Sequence, residues 1–278
     1  MNNDVSFVDT HCHIGKSFYK DFLETEPPDP EVLVKEANEA GVKTLINVGA
    51  SLASSIEACE DADRFDGVYS TLGVYPDNIG EVSVEKLTKE FEGLLKKHKK
   101  IVAIGEIGLD YTSKTIDEEK KEQMVYFEAL LDWAGKLEPK LPLTIHCRDA
   151  WKDVENLVAN AAKSANGGKY NGVFHCFTGT YEDAKWCVDH GFVLGIGGII
   201  TFKNGEGLRQ VVKKIGIEHI VLETDCPWLA PEPYRGQVNY PKYIPVIAKK
   251  VAEVLDIDVE EGKRGVNLTS KRLKFTAD

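Results

Sequence analysis

A chain of 278 residues, 42% hydrophobic and 28% charged, holds material for one large core or two ordinary ones, and its net charge of −11 argues against broad, sequence-independent nucleic-acid binding. No run approaches the roughly 18–20 apolar residues of a membrane helix, and the best candidate, GFVLGIGGII at 191–200, is too short and too glycine-rich. The six cysteines form no CxxC pair, and MNNDVSF carries neither a basic nor an apolar signal region, so a cytoplasmic protein with reduced thiols is the expectation.

Strand-like apolar runs recur along the chain. They fall at 6–13 (SFVDTHCH), 44–49, 68–76, 101–110 (IVAIGEIGLD), 141–148 (LPLTIHCR), 171–177 (NGVFHCF), 192–198 and 220–225 (IVLETD). Most are continuous in Val, Ile and Leu, as parallel strands buried on both faces require. Between them run helical patterns. Asp29-Pro30-Glu31 supplies an N-cap, a proline at the first helical position and an acid in the first turn, opening a helix that closes near Gly41. Residues 84–98 space Leu87, Phe91, Leu94 and Leu95 along one stripe. Further helices are predicted near 117–137, 150–165, 180–190, 204–215 and 240–255.

Eight such units without a linker or low-complexity break predict one TIM (β/α)8 barrel, a single domain over 1–278, with an additional C-terminal helix from about 258 to 275 outside it. A doubly wound sheet is the alternative, but DTHCHIGKS after the first strand lacks the GxGxxG phosphate loop that such a fold is expected to carry.

Active sites of such barrels lie at the C-terminal strand ends. There the chain places His11 and His13, Glu106, His146 with Arg148, His175, and Asp225; of its seven histidines only His98, His190 and His219 fall elsewhere. Alternation along a strand aims His11 and His13 the same way and turns Cys12 outward. The same logic makes Cys147 a packing residue, and Cys176 and Cys226 are read alike. Asp9 lies on the face of His11 and His13, either orienting them or serving as a buried structural acid. One buried histidine is most often a satisfied core residue, but six converging donors by accident would leave too many polar groups without partners. Four imidazoles and two carboxylates suit Zn, Mn, Fe, Co, Ni or Mg. The number exceeds the three protein ligands of a single catalytic zinc and fits two divalent ions sharing a carboxylate.

Five stretches, DTHCH (9–13), GEIGLDY (105–111), IHCRDA (145–150), FHCFTGT (174–180) and ETDCPWLAP (223–231), together with YRGQVNYP (234–241), give a sequence that resembles the TatD family of metal-dependent hydrolases in the amidohydrolase superfamily. The resemblance spans residues 5 to about 275. It implies His11, His13 and Asp225 on one metal, His146 and His175 on the second, Glu106 bridging, and a hydroxide between the ions as nucleophile. Asp225 and Glu106 are then the catalytic carboxylates, with Asp225 also a general base. Glu223 is placed to orient ligands. Arg148 is either a phosphate clamp or a salt-bridge partner.

The chain departs from the family at GVYP, where Tyr75 stands in place of a substrate-side histidine; a tyrosine retains a hydroxyl and a ring on which a base can stack. The activity implied is that of a deoxyribonuclease, a 3′→5′ exonuclease on single strands, with a DNA strand end as partner and no obligate protein partner. Two rivals remain: the same centre cleaving another ester or an amide, and a metal-binding scaffold without catalysis. The basic runs KKHKK (96–100) and KRGVNLTSKRLK (263–274) are read as a helix C-terminus and a solvated helix face.

Overall fold

In the computed structural model, residues 6–20, 22–112, 114–164 and 170–273 are described. Eight parallel strands follow one another around a single sheet in chain order. They are β1 (Phe7–Cys12), β2 (Val42–Asn47), β3 (Val68–Leu72), β4 (Ile101–Asp110), β5 (Leu143–Arg148), β6 (Gly172–Phe174), β7 (Phe192–Ile196) and β8 (Ile220–Leu222). The ring is completed between β1 and the end of β8, where Asp225 N donates to His11 O (2.8 Å) and His13 N donates to Cys226 O (3.0 Å). The expected TIM barrel is therefore the fold, and all eight strands fall where apolar runs predicted them. Several are shorter: β3, β6 and β8 stop before Tyr75, His175 and Asp225, which lie in the loops above them.

The helices are α1 (Lys16–Tyr19), α2 (Pro30–Glu39), α3 (Leu52–Arg64), α4 (Val84–Lys97), α5 (Asp117–Ala134), α6 (Trp151–Ser164), α7 (Tyr181–Asp189), α8 (Glu206–Ile215), α9 (Ile244–Leu255) and α10 (Val259–Arg272). Asp29 caps α2 as predicted, accepting from Glu31 N at 3.0 Å. The predicted ends at 165 and at 274–275 lie outside the described residues. The short α1 and the longer α3 were not predicted. In α3 the buried residues are Ser54, Ser55, Ala58, Cys59, Asp61 and Ala62, so it lacks the Leu and Phe stripe that marks α4. Its start is set instead by Ser51 and Ser54, whose hydroxyls each accept from the other's backbone N–H. No helix among the described residues is long and apolar enough to cross a membrane.

The larger core lies between strands and helices, and includes Cys12, Cys147 and Cys226 as small buried hydrophobes. A second cluster of Ile46, Val48, Ala103, Val173, Val193 and Val221 occupies the opposite strand face, inside the barrel, with Leu273 against it. The two-residue period of interior positions is interrupted in β1, where the pairing with β2 shifts register twice and Phe7 and Cys12 both face the helices, and in β4. In β4 the pairing with β5 shifts register between Ile104 and Ile107. Ala103 thus faces the interior while Ile104, Ile107 and Leu109 face the helices, which leaves Glu106 pointing inward.

The basic runs are more structural than expected. His98 is buried and bonds Asp63 through Nδ1 at 2.7 Å, and Lys100 Nζ donates to Ala62 O and Phe65 O. Lys263, read as solvated, is buried with its ammonium 4.7 Å from the centre of the Phe7 ring.

Two glycines let neighbouring strands approach the interior. A Cβ on Gly108 (φ 152°) would lie 1.9 Å from His146 O, and one on Gly73 would lie 2.2 Å from Glu106 N. Gly73→Ala must push the backbone that carries Glu106 and is expected to lower unfolding free energy by about 1–3 kcal/mol. The exposed Gly93, within α4 and with nothing near its Cβ position, is the control. Gly93→Ala should raise stability by about 1 kcal/mol. Urea unfolding of both variants checks this, and equal effects would contradict the close-approach account.

Candidate metal centre

Six side chains meet at the C-terminal mouth of the barrel. Three sets of them, His11/His13/Glu106, His11/His175/Asp225 and Glu106/His146/His175, each bring one donor atom per residue within 4.8 Å of one another. The strands deliver His11, Glu106 and His146. His13, His175 and Asp225 come from the loop residues just beyond. Asp225 is set by a left-handed backbone (φ 55°), so its direction comes from a tight turn after β8 rather than from strand alternation.

Glu106 lies at the centre and is 3% exposed. Its two oxygens face different sets: Oε2 lies 3.6 Å from His11 Nε2, while Oε1 lies 3.0 Å from His146 Nδ1 and 2.7 Å from His175 Nε2. Asp225 Oδ1 lies 3.7 Å from both His11 Nε2 and His13 Nε2. At 3.6–3.7 Å these are facing donors rather than hydrogen bonds.

The electrostatics follow from burial and mutual contact. Burial, reinforced by the neighbouring His175, lowers His11 to about 4. Burial alone would raise Glu106, but the surrounding imidazoles of His175, His11 and His146 hold it well below the usual carboxylate range. Burial likewise opposes ionisation of Asp225, yet His13, His175 and His11 keep its pKa below the ordinary value. Both carboxylates are therefore anionic at neutral pH.

Outer contacts orient the donors. His13 Nδ1 lies 2.9 Å from the Val48 carbonyl, which can only accept, so Nδ1 carries the proton and Nε2 of the neutral ring is free to bind a cation. His146 Nε2 lies 2.9 Å from Asp110 Oδ2, leaving Nδ1 toward Glu106. His175 Nδ1 has no hydrogen-bond partner and sits 3.8 Å from Glu223 Oε1, which accepts from Cys176 N. Glu223 thus lies behind His175 without hydrogen-bonding it, and burial followed by Asp225 pushes its carboxyl well above the usual range.

Asp9 is buried and accepts from Thr224 N (2.9 Å), Thr224 Oγ1 (2.6 Å) and His11 N (3.3 Å). It positions His11 through the backbone by joining β1 to the end of β8. Cys176 differs from the other five cysteines, which are buried: it is half-buried with φ 45°, and its amide serves Glu223.

Asp110 was not singled out from the sequence, although it shares a strand face with Glu106 within GEIGLDY. It is 1% exposed, accepts from the Tyr75 hydroxyl and lies 3.8 Å from Arg148. Its backbone is clamped by Gln123, which accepts from Asp110 N at 2.9 Å and donates to Asp110 O at 3.2 Å. Tyr75 therefore has its hydroxyl engaged and its ring edge-on to His146, 4.9 Å away. Arg148 is 60% exposed at the mouth.

The donor chemistry fits divalent cations. Both ring nitrogens of His11 are buried without a hydrogen-bond partner, an expensive arrangement unless one of them coordinates. Mixed imidazole and carboxylate donors suit first-row transition metals and zinc. Asp110→Asn would loosen His146 and is expected to weaken metal affinity by about 10–100-fold, whereas Tyr75→Phe, which leaves the Asp110–His146 contact, should cost much less. Competition with a chelating dye measures both; equal losses would contradict the positioning role of Asp110.

Comparison with known proteins agrees with this geometry. The family described as TatD related DNase matches residues 8–273. A Bacillus subtilis metal-dependent hydrolase, YabD, is 34% identical over 269 residues, covering 95% of this chain and 97% of the relative. YcfH of Escherichia coli K12, also named a metal-dependent hydrolase, is 31% identical over 255 residues, covering 91% and 90%. Among solved structures, the TatD homologue YjjV of Escherichia coli K12 superposes with a TM-score of 0.83 at 24% identity, covering 96% of this chain and 97% of that one, and so shares the fold. A chain with this barrel, this donor cluster and these relatives belongs to the TatD family of metal-dependent hydrolases.

Proposed function

We propose that the protein is a two-metal phosphodiesterase acting on DNA, a 3′→5′ exonuclease on single strands. The observation that carries the two-metal part is the division of Glu106: one oxygen faces His11, the other His146 and His175. His11, His13 and Asp225 would hold one ion, His146 and His175 the other, with Glu106 between them. Two divalent ions held there would supply a nucleophilic water at neutral pH and offset charge that develops on the phosphoryl oxygens.

The protein's own groups do the rest. Asp225, 15% exposed and anionic, is the base that takes the proton of the attacking water on its carboxylate. Arg148, with its guanidinium 60% exposed beyond His146, is placed to bind a phosphate oxygen. Tyr75 forms a wall on the substrate side of His146. With a net charge of −11, the chain favours a small footprint at a strand end over a duplex laid along its surface. The preference for phosphorus over a carbon ester or amide rests on Arg148 and on the family's description as TatD related DNase.

The test is hydrolysis of a single-stranded oligonucleotide with Mn, Mg or Zn. Release of 5′-mononucleotides is expected, with the rate falling at least about 100-fold in Asp225→Asn and KM rising about 10-fold in Arg148→Ala. Turnover of a carbon ester or amide with DNA untouched would move the substrate class. Absence of any hydrolysis with all three metals would remove the catalytic reading.

A further inference from the structure

The loop after Asp225 leaves large apolar groups open beside the metal centre. Trp228 and Leu229 are 39% and 36% exposed, and Phe22, just after α1, is 39% exposed. The Trp228 indole meets three rings edge-to-face: His13 at 5.4 Å and 89°, Phe18 at 6.0 Å and 81°, and Phe22 at 5.6 Å and 83°. Phe18 in turn packs on the His13 ring at 4.3 Å. Such perpendicular contacts are favourable for aromatic pairs and fix the plane of the indole.

The backbone beneath is fixed as well. Trp228 N donates to Asp225 O at 3.0 Å, and Trp228 O accepts from Asn239 Nδ2 at 2.7 Å. Asn239 is fully buried, and its side chain also donates to Thr224 O at 2.7 Å. The shelf is therefore tied to the same turn that directs Asp225. Aromatic surface left in water and held rigid, one ring away from a ligand histidine, marks a binding subsite rather than a packing remnant.

The occupant must be flat, apolar on its face, and linked to a group that the metal centre engages. A nucleotide at a strand end meets all three conditions, because its base lies within one sugar of the phosphate. Bases inside a duplex are stacked on one another and have no free face to offer. On a chain of net charge −11, with few phosphate contacts beyond the metal centre and Arg148, stacking is a further source of affinity. The mouth also has two sides: the indole stands by His13, while Arg148 stands beyond His146 by Asp110.

We propose that Trp228, seated by Phe18 and Phe22, is the stacking platform for the unpaired terminal base of the strand being cleaved. This rests on the nuclease reading above and specifies its substrate as a frayed or single-stranded end. Trp228 is a specificity determinant, with no part in the chemical step.

The experiment compares two single-stranded oligonucleotides, identical except that the 3′-terminal nucleotide of one lacks its base. Wild-type, Trp228→Ala and Trp228→Phe proteins are assayed on both, with metal content measured for each. On the intact strand Trp228→Ala should raise KM about 10–100-fold, with kcat and metal content little changed, and Trp228→Phe should restore most of the loss. On the abasic end, wild-type and Trp228→Ala proteins should be indistinguishable. An equal loss on both strands, or no loss on the intact one, overturns the platform while leaving the nuclease reading standing. Cleavage of neither strand by the wild-type protein removes that reading and the platform together.

Discussion

A carboxylate shut away from water needs positive charge or hydrogen-bond donors on every side, and the arrangement around Glu106 follows from that constraint. Glu106 is 3% exposed, with His11 before one oxygen and His146 and His175 before the other. Imidazoles alone are an incomplete answer. His11 is held near 4 by burial and by His175, so it stays neutral and brings no charge to Glu106 at physiological pH. A buried anion facing a neutral ring with an unpartnered nitrogen is a site that favours a cation.

The barrel makes such a site tolerable. Parallel strands packed on both faces form a rigid wall, and their C-terminal ends aim side chains inward without a flexible loop in between. Where loops do contribute, each is pinned. Asp9 fastens the Thr224 backbone and side chain to β1, Asn239 ties the turn after Asp225, and Gln123 clamps Asp110. Donors held this way lose little freedom when a ligand arrives, which is the physical content of preorganisation. Asp110 then extends the centre outward, since one of its oxygens meets Tyr75, His146 and Arg148 together.

Much of this is legible in the amino-acid sequence. Repeating Val/Ile/Leu runs gave the eight strands, and the strand ends gave the six donors. What escaped had physical reasons. Helix α3 packs through Ala, Ser and Cys, which carry no stripe of large apolar residues. The inward aim of Glu106 depends on a register shift in β4 that simple alternation does not contain. Asp110 sits within GEIGLDY, but only the fold places it against His146, which lies 36 residues away. The Trp228 shelf needs two loops more than 200 residues apart in sequence, so neither stretch announces it. Tyr75 reads from sequence as a free ring for stacking, whereas its hydroxyl is committed to Asp110 and its ring stands edge-on to His146.

The central claim is that Glu106 joins two cation sites, and metal stoichiometry tests it most directly. Elemental analysis of protein equilibrated with Mn or Zn and freed of excess ion should give about two ions per chain. In Glu106→Gln the amide keeps the shape but loses the charge shared by the two sites, and the same measurement should give clearly fewer than two. A wild-type value of one or less, or an unchanged value in Glu106→Gln, would contradict the account.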